Sequence, residues 1–331
     1  MGGDQAPAAI VSGAVEAARR DGVSVALVGA ADTLRAHLSR HARVADLPIH
    51  IVDAAEVIAM DEPPLAALRR KPNASVRVAA DLVARDEAHA LFSAGHTGAT
   101  FLAAHAAFGV LAGVERPALA VTVPTRSGAA ILVDAGANLE CRPSHLVQFG
   151  LMGAAYARVN LRLDRPKVGL LSIGEEAGKG NDLIREAHAA LAIAPITFIG
   201  NIGAQELFSG RADVVVCDGF TGNIALKVGE GLVETIDGML RDELKASGLT
   251  RIGAILARPA FGRFRRRVDY AEYGGAPLLG VGRVTVVAHG RSSARAIESG
   301  ILMAARLADG RVIERLGEAL QKSGTRSLSE S

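Results

Sequence analysis

The stretch from Asp213 to Lys227 constrains the fold of this chain more than any other. Three consecutive valines, Val214–Val216, have no polar residue between them, which predicts a parallel β-strand buried on both faces. After the turn at Asp218-Gly219, apolar residues recur at every fourth position, which is typical of a long amphipathic helix. The first N–H groups of such a helix suit an anion, although an ordinary strand-to-helix connection has the same pattern.

Within this turn the residue types point to a ligand site. Thr221 is predicted to cap the helix, and Gly222 is predicted to let a ligand approach the backbone closely. Asn223 and Lys227 follow on the first turns of the same helix. The stretch therefore favours, without requiring, a site for an anion or for the oxygens of a reacting group.

Composition narrows the class of protein. Of the 331 residues 49% are hydrophobic and only 4% are aromatic, and the 37 glycines indicate many tight turns in an α/β protein. A net charge of +2 gives no general case for nucleic acid as a partner. Cys141 and Cys217 match no metal-ligand spacing, and the first residues lack the pattern of a signal peptide, so we expect a cytoplasmic protein. The apolar window from 97 to 114 predicts a buried helix rather than a membrane span.

Along the chain, buried strands alternate with helices, and most strands end in a turn rich in Gly, Asn or Asp. This pattern predicts a doubly wound, mostly parallel sheet of the Rossmann-like type, in which ligands bind beyond the carboxyl ends of the strands. Residues 119–123 and 129–133 are expected to pair as a hairpin. No linker composition interrupts the chain, so residues 1–321 are predicted to form one catalytic domain with a protruding helical segment, and residues 322–331 a disordered tail.

The first residues raise a separate question. Gly2-Gly3-Asp4 precedes a helix that begins near Pro7, and a turn of this kind normally follows a strand. No strand precedes it here, so either the start codon is assigned too late or the sheet has lost a strand.

Two further turns carry candidate residues. His96 lies in Ser93-Ala94-Gly95-His96-Thr97-Gly98, where a hydrogen-bonded structural role is somewhat more expected than a catalytic one. Lys179 lies between two glycines on the turn after the strand 168–172, which suits a phosphate or a polarised carbonyl. The alternative for Lys179 is an ordinary surface lysine.

The segment 251–273 contains apolar residues and, within the ten positions 258–267, five arginines: Arg258, Arg263, Arg265, Arg266 and Arg267, beside Phe261 and Phe264. This composition suits contact with an anionic membrane surface or with an acidic partner protein. A solvated helix is the alternative.

Taken in order, these turns resemble the PlsX family, the bacterial acyl-carrier-protein:phosphate acyltransferases of phospholipid synthesis. The similar segments are Met1–Asp4, Ser93–Ala99, Leu132–Asn138, Gln148–Gly153, Gly169–Glu176, the stretch from Asp213 to Lys227, Tyr273–Gly280 and His289-Gly290. Three departures are present: the family's first strand is absent, His96 stands where Asn is usual, and Ser172 stands where Asn is common.

The resemblance implies transfer of a fatty acyl group from acyl carrier protein to inorganic phosphate, without a cofactor or metal. It implies Lys179 and Asn223 as catalytic residues. It further implies a homodimer in the cytoplasm, peripherally associated with the inner face of the membrane near a glycerol-phosphate acyltransferase. The substrate-binding residues that it implies are Gly2, Gly3, Asp4, Gly95, His96, Thr97, Gly98, Asn138, Glu175, Gly219, Thr221, Gly222, Lys227 and His289.

Two other functions remain open at this point. A dehydrogenase of the isocitrate or isopropylmalate type has a similar fold, but the chain shows neither a Gly-x-Gly-x-x-Gly motif nor an Asp cluster. A non-catalytic scaffold for the carrier protein or the membrane is the second alternative.

Overall fold

The structure, a computed structural model, describes residues 1–268 and 274–329, with side chains for residues 1–264 and 274–321. Helices and strands alternate along most of the chain, as the sequence predicts. The helices are α1 Ala8–Asp21, α2 Ala31–Leu38, α3 Pro64–Arg70, α4 Ser75–Ala84, α5 Thr97–Phe108, α6 Pro143–Asn160, α7 Asp182–Ile193, α8 Gly219–Lys245, α9 Gly248–Val268, α10 Ala294–Asp309 and α11 Val312–Ser329. The strands are β1 Val25–Gly29, β2 Ile49–Asp53, β3 Ala90–Ser93, β4 Ala118–Thr125, β5 Gly128–Val133, β6 Lys167–Ser172, β7 Thr197–Gly203, β8 Val214–Val216, β9 Ala276–Leu279 and β10 Val284–Val287.

Eight of these strands form one sheet in the order β3-β10-β9-β4-β5-β8-β6-β7, and β1 and β2 form a separate parallel pair. Strands β5, β8, β6 and β7 are mutually parallel. Strand β4 is antiparallel to both β5 and β9, which confirms the predicted hairpin between residues 119–123 and 129–133. The large sheet, parallel at most of its strand pairs and interleaved with helices, confirms the predicted α/β fold class.

The direction of the strands reverses within the large sheet. Strand β9 is antiparallel to β10, and β10 is parallel to β3. Counting the reversals from β5 through β4, β9 and β10, strand β3 runs opposite to β5, β8 and β6. The turns after β3 and β10 therefore leave the sheet at the opposite edge from the turns after β5, β6 and β8. The directions of the strands therefore place the glycine turns at two opposite edges of the sheet, and not all of them at one crevice.

The centre of the sheet is the best buried part of the molecule. Val214, Val215 and Val216 are all 0% exposed, as their sequence predicts. Helix α6 covers one face of these strands, and its Phe149 and Tyr156 are also 0% exposed. Burial of apolar side chains on both faces of β8 fixes the position of the turn that follows it, because a slip of the strand would carry the flanking Asp213 or Asp218 into the core.

Helices α8 and α9 form a hairpin that is largely exposed along its length. The apolar residues spaced by four on α8 are between 37% and 65% exposed at Ile224, Val228, Leu232, Ile236 and Leu240. On α9 the exposed fractions are between 51% and 82% at Leu249, Ile252, Ile255, Leu256 and Phe264. The sequence predicts the amphipathic helix, whereas its apolar face is open in this chain.

One boundary differs from the sequence expectations. Helix α11 continues to Ser329, so helical structure extends past residue 322, where the sequence predicts a disordered tail. Residues 269–273, at the end of the predicted contact segment, lie outside the described residues. Within the described ranges, no helix has the length and apolarity needed to cross a membrane.

Candidate active site at the ends of β5, β8 and β6

Three neighbouring parallel strands bring three polar turns to one edge of the sheet. Val133 at the end of β5 pairs with Val216 of β8, and Val216 pairs with Leu170 of β6. Adjacent strands lie about 4.8 Å apart, so the turns that follow them begin side by side. These turns are residues 134–138, residues 217–223 with the start of α8, and residues 172–182.

Asp134 organises the first turn. Its Oδ1 accepts hydrogen bonds from the backbone N–H groups of Leu119, Gly136 and Ala137 at 2.9, 3.1 and 3.0 Å. Its Oδ2 accepts from the backbone N–H and the side-chain amide of Asn138 at 2.7 and 2.8 Å. The carboxylate is 0% exposed. Five N–H donors around one buried carboxylate give this turn a single conformation.

The protonation of Asp134 reflects two opposing effects. Burial raises the pKa of its carboxyl group, and hydrogen bonds from Ala137, Asn138, Leu119 and Gly136 lower the pKa in part. Every hydrogen-bond partner of the carboxylate is an N–H donor, so a proton on either oxygen would have no acceptor. The surroundings therefore match the ionised form.

The start of α8 is fitted against this turn. The N–H of Gly219 donates to the carbonyl of Asn138 at 2.8 Å. A side chain at Gly222 would overlap the carbonyl of Asp134, and one at Gly219 would lie 2.6 Å from the carbonyl of Asn138. These two glycines are therefore needed for the contact between the turns. The sequence predicts a different role for Gly222, which is to let a ligand approach the backbone. Asn138 itself is 4% exposed and donates to Pro117 at 2.8 Å.

Asp218, rather than Thr221, caps α8. The Asp218 carboxylate accepts the N–H of Thr221 and the Thr221 hydroxyl, both at 2.8 Å. A carboxylate thus already occupies the N-terminus of the helix, where the sequence analysis placed an anion site. The Thr221 hydroxyl is engaged in this contact.

Asn223 is the exposed polar side chain of this region. It is the fifth residue of α8, and its Cβ and Cγ lie beside Gly136 of the first turn. Within the described part of the chain its amide has no hydrogen-bond partner, so its N–H₂ group is free to donate to a ligand. Lys227, one turn further along, is exposed and pairs with Glu230 at 2.8 Å.

Lys179 lies on the turn after β6. The Ser172 hydroxyl donates to the carbonyl of Lys179 at 3.3 Å, and the N–H of Lys179 donates to Glu176 at 2.9 Å. Its side-chain carbons pass Gly174, where an added Cβ would lie 3.3 Å from Cγ. The ammonium group has no ion pair among the residues with described side chains. The turn thus holds the backbone of Lys179 and leaves its charge available.

The rest of this turn is tied to the body of the protein. The Asn201 amide, 1% exposed, donates to the carbonyl of Glu176 at 2.9 Å, and its oxygen lies 2.9 Å from His188 Nδ1. Glu175 pairs with Arg211 at 2.7 Å, and Arg211 also pairs with Glu206 at 2.6 Å. These carboxylates raise the pKa of Arg211, and Arg211 lowers the pKa of Glu206. Glu175 is therefore engaged in an ion pair.

The remaining predicted residues gather at the opposite edge, after β3 and β10. The N–H of Asp4 donates to Gly290 at 2.9 Å, and a Cβ on Gly3 would lie 2.6 Å from the carbonyl of Ala94. Gly2 packs beside Gly95. In the described part of the chain, no hydrogen bond or ion pair joins this group to the turns after β5, β8 and β6. The predicted residues of this group are Gly2, Gly3, Asp4, Gly95, His96, Thr97, Gly98 and His289.

His96 has a structural role in this group. Its Nδ1 accepts from the N–H groups of Gly98 and Ala99 at 3.1 and 3.4 Å, and it caps α5. Since Nδ1 accepts, Nε2 carries the proton and donates to the carbonyl of Glu62 at 3.2 Å. His289 is more available, because it is exposed and only its Nδ1 is engaged, by the N–H of Arg291 at 3.2 Å. Thr97 is exposed on the first turn of α5.

Sequence reasoning did not select Asp134, Asp218 or Asn201 as site residues. An Asp directly after a buried strand, two residues before a glycine, is a signal for a side chain that folds back onto its own turn. Asp134 follows β5 in this way, whereas Asp218 lies two residues after β8 and directly before Gly219. Asn201 has no such signal, since its role depends on contacts with Glu176 and His188, which are distant in sequence.

Comparison with known proteins identifies the family. Residues 1–315 match a sequence model described as "Fatty acid synthesis protein". The chain is 48% identical over 321 residues to a phosphate acyltransferase of Nitratidesulfovibrio vulgaris strain DP4, covering 97% of this chain and 93% of that protein. A phosphate acyltransferase of Geobacter sp. strain M21 is 48% identical over 323 residues, covering 96% and 92%.

Solved structures of other enzymes share the fold. A phosphotransacetylase from Streptococcus pyogenes superimposes with a TM-score of 0.60 at 18% identity, covering 92% of this chain and 91% of that one. The EutD phosphotransacetylase from Staphylococcus aureus gives 0.58 at 15% identity, covering 90% and 89%. A 4-hydroxythreonine-4-phosphate dehydrogenase from Klebsiella pneumoniae gives 0.51 at 15% identity, covering 91% and 95%, so the fold alone also accommodates dehydrogenases. The whole-length sequence match, by contrast, is to phosphate acyltransferases, and the chain therefore belongs to the PlsX family and is an acyltransferase that acts on phosphate.

Proposed function

We propose that this enzyme takes its fatty acyl group from the thioester of acyl carrier protein and delivers the acyl phosphate to phosphatidic acid synthesis. The observation that carries the proposal is the pair of unengaged polar side chains, Lys179 and Asn223, on turns that follow the adjacent strands β6 and β8. One offers a positive charge, and the other offers an uncharged N–H donor. The reaction needs both.

The chemistry assigns the roles. A phosphate oxygen attacks the thioester carbonyl carbon, the C–O bond forms, and the carbonyl oxygen becomes an oxyanion. The C–S bond then breaks, the carbonyl re-forms, and the thiolate of the carrier leaves and takes a proton. Phosphate is the nucleophile, so the reaction requires no acyl-enzyme intermediate. The protein has to hold the anion beside the thioester and stabilise the oxyanion.

Lys179 neutralises the attacking phosphate. Its ammonium has no competing carboxylate among the residues with described side chains, whereas Lys227 is paired with Glu230. A lysine works here as a compact point charge on a flexible stem, which suits a monoanionic or dianionic phosphate.

Asn223 donates to the oxyanion. Its amide is held at a defined position, because the start of α8 is fixed to the buried turn around Asp134. A donor fixed before the reaction needs no reorganisation when the charge develops. Asn138, Gly219, Gly222, Thr221 and Glu175 support this geometry, whereas the residues after β3 and β10 stay predicted substrate contacts.

The test measures thiol release from acyl-acyl carrier protein, with and without phosphate, together with acyl phosphate formed. We expect phosphate-dependent release, a drop in kcat of roughly 100-fold for Asn223→Ala, and a higher phosphate KM for Lys179→Ala. Lys167→Ala is the matched control, because Lys167 is exposed at the opposite end of β6. Near-normal acyl phosphate formation by both variants would refute the assignment, and release without phosphate would refute the transferase.

The hairpin of α8 and α9 supports a peripheral membrane location, near a membrane glycerol-phosphate acyltransferase that consumes the product. Leu249, Leu256 and Phe264 are 82%, 78% and 51% exposed beside the exposed Arg258 and Arg263. This combination suits an anionic membrane surface, and the same charges suit the acidic carrier protein. The side chains of Arg265, Arg266 and Arg267 lie outside the described part.

Vesicle co-sedimentation separates these partners. The variant Arg258→Glu with Arg263→Glu should lose binding to vesicles containing phosphatidylglycerol, whereas Arg35→Glu with Arg69→Glu, which changes two other exposed arginines, should retain it. Unchanged sedimentation combined with a raised KM for acyl carrier protein would assign the patch to the carrier instead.

A homodimer is also part of the proposal. The open apolar row on α8, with Val228 65% and Leu232 57% exposed, is a surface that a second copy of the chain would cover. Sedimentation equilibrium should show a dimer that Leu232→Glu converts to a monomer. A dimer unaffected by this change would place the interface elsewhere.

A further inference from the structure

Strand β7, the last strand of the large sheet, contains a β-bulge directly before the buried residue Asn201. Phe198 of β7 pairs with Val168 of β6. Asn201, three residues further along β7, pairs with Leu170, which is only two residues further along β6. Between them Gly200 has a φ of +90°, a conformation that glycine adopts without strain. Bulges are frequent at sheet edges and beside active sites, where they change the direction of a side chain.

The bulge turns the side chain of Asn201 towards helix α7. In a regular strand, residues three positions apart point to opposite faces of the sheet. Here Phe198 and Asn201 both contact the same residue of α7, which is His188. The ring centroids of Phe198 and His188 lie 5.2 Å apart, and Asn201 Oδ1 lies 2.9 Å from His188 Nδ1. The extra residue in β7 therefore places a buried amide, 1% exposed, on the face that α7 covers.

The amide of Asn201 has a defined orientation. Its N–H₂ group donates to the backbone carbonyl of Glu176 at 2.9 Å, and the reverse orientation would place two oxygens against each other. The amide oxygen therefore accepts from His188, so Nδ1 of that ring carries the proton. The edge-on contact with Phe198, at an interplanar angle of 73°, helps to hold the plane of the imidazole.

The carbonyl of Glu176 connects this amide to the turn that carries Lys179. The same oxygen accepts the backbone N–H of Lys179 at 2.9 Å. Two exposed arginines, Arg185 and Arg211, also contact residues of this turn. Exposed ionic contacts contribute little, whereas a hydrogen bond is stronger in the low-dielectric interior. The buried amide of Asn201 is therefore the contact that best fixes the backbone at Lys179.

We propose that Asn201 and His188 are positioning residues for phosphate, because they hold the turn from which Lys179 reaches it. This inference rests on the role proposed above for Lys179. The effect passes through the carbonyl of Glu176: His188 orients the amide, the amide holds the carbonyl, and the carbonyl holds the backbone of Lys179. A lysine side chain is long and flexible, so a fixed backbone is needed to keep its charge close to the reacting phosphate.

The first measurement is the KM for phosphate in the acyl transfer assay. Asn201→Leu and His188→Ala should each raise it by about five- to tenfold, the effect of one lost hydrogen bond, with the KM for the acyl donor and kcat close to normal. His188→Asn should restore the phosphate KM, because the amide N–H₂ of Asn lies where Nδ1–H of His lies. His105→Ala is the matched control, since His105 also lies on a helix and contacts a ring, that of Phe101, but is exposed.

The second measurement follows the turn itself, without activity. Lys179 is exposed between two glycines, so trypsin can cleave after it once the turn loosens. Initial cleavage into fragments 1–179 and 180–331, identified by mass spectrometry, should be at least about fivefold faster in Asn201→Leu than in His105→Ala. Asn201→Asp keeps an acceptor for His188 but loses the donor to Glu176, so it should be cleaved equally fast.

The outcomes separate this inference from the proposed function. If Lys179→Ala raises the phosphate KM but neither variant of Asn201 does, the positioning role is wrong and the role of Lys179 stands. If Lys179→Ala leaves the phosphate KM unchanged, both are wrong. Unchanged cleavage after Lys179 in both variants of Asn201 would also overturn the positioning role.

A double variant tests whether Asn201 acts through Lys179. The variant Lys179→Ala with Asn201→Asp should have the phosphate KM of Lys179→Ala alone, because no charge remains to be positioned. If the two increases in KM multiply instead, Asn201 acts independently of Lys179, and the inference fails.

Discussion

The first turn of α8 and the remainder of that helix are opposite environments on one continuous element. At the first turn, Gly219 and Gly222 face backbone carbonyls with no room for a side chain. Further along, a Cβ added at Gly231 or Gly238 would meet no atom of the described residues within 4 Å, and the apolar row on the same helix is open. Position on a helix therefore says little about a residue's role, which depends on what packs against it.

The largest expected effect comes from removing the carboxylate that anchors the first turn. Asp134→Ala should lower the free energy of unfolding by about 3–5 kcal/mol, because it leaves several buried N–H groups without an acceptor. Urea denaturation measures the change. Asp134→Asn keeps the shape but turns an amide N–H₂ towards N–H donors, so it should also destabilise the protein. A loss below about 1 kcal/mol for both variants would show that the turn does not depend on this carboxylate.

The next largest effect is expected at Gly222, which contacts the backbone of Asp134. Gly222→Ala places a Cβ against the carbonyl of Asp134, so the start of α8 has to move. We expect a loss of about 1–3 kcal/mol and a larger loss of acyltransferase activity, since Asn223 moves with the helix. If Gly222→Ala were as harmless as Gly238→Ala, the two parts of α8 would not differ in packing as described.

A third prediction uses the thiol of Cys141 to report on the turn around Asp134. Burial, and then the charge of Asp134, raise the pKa of Cys141 to about 11. The thiolate is therefore about one part in a thousand at pH 8, and alkylation by iodoacetamide should keep accelerating up to about pH 11. Asp134→Asn should move the midpoint of this pH profile down. A profile that levels off near pH 9 in the unmodified protein would contradict the buried, negative surroundings.

The smallest effect lies on the open part of the helix. Gly238→Ala should raise the free energy of unfolding by about 0.5–1 kcal/mol, because it removes backbone freedom from the unfolded chain and meets no atom in the folded one. Thermal denaturation at matched protein concentration measures this. Destabilisation instead would indicate that a second copy or another surface packs closely at this position.

Local patterns predicted the elements but not the direction in which the turns face. The run Val214–Val216 predicted a buried strand, and the strand is fully buried because α6 covers one face and apolar residues of the segment 207–212 and of the start of α8 cover the other. The hairpin of β4 and β5 was also predictable, since it depends on a short connection. The antiparallel pairing of β4 with β9 joins strands far apart in sequence, and no local signal marks it.

The same limit on prediction from local sequence applies to the candidate site. Lys179 and Asn223 could be selected from the sequence, because glycine turns after buried strands predict exposed polar groups. The sequence could not show that Asp218 rather than Thr221 caps α8, because both residue types form caps and only the geometry decides between them. The five donors to Asp134 include Leu119, which comes from a neighbouring strand. Such contacts exist only once the chain has folded.

The length of α8 also determines how motion reaches Asn223. A straight helix of 27 residues spans about 40 Å at 1.5 Å per residue. If it pivots where Gly222 meets Asp134, a tilt of about 10° carries the far end about 6 Å, whereas a group a few ångströms from the pivot moves less than about 1 Å. The far end of the hairpin can therefore move by several ångströms while the side-chain amide of Asn223 stays near its position, because Asn223 lies close to the pivot.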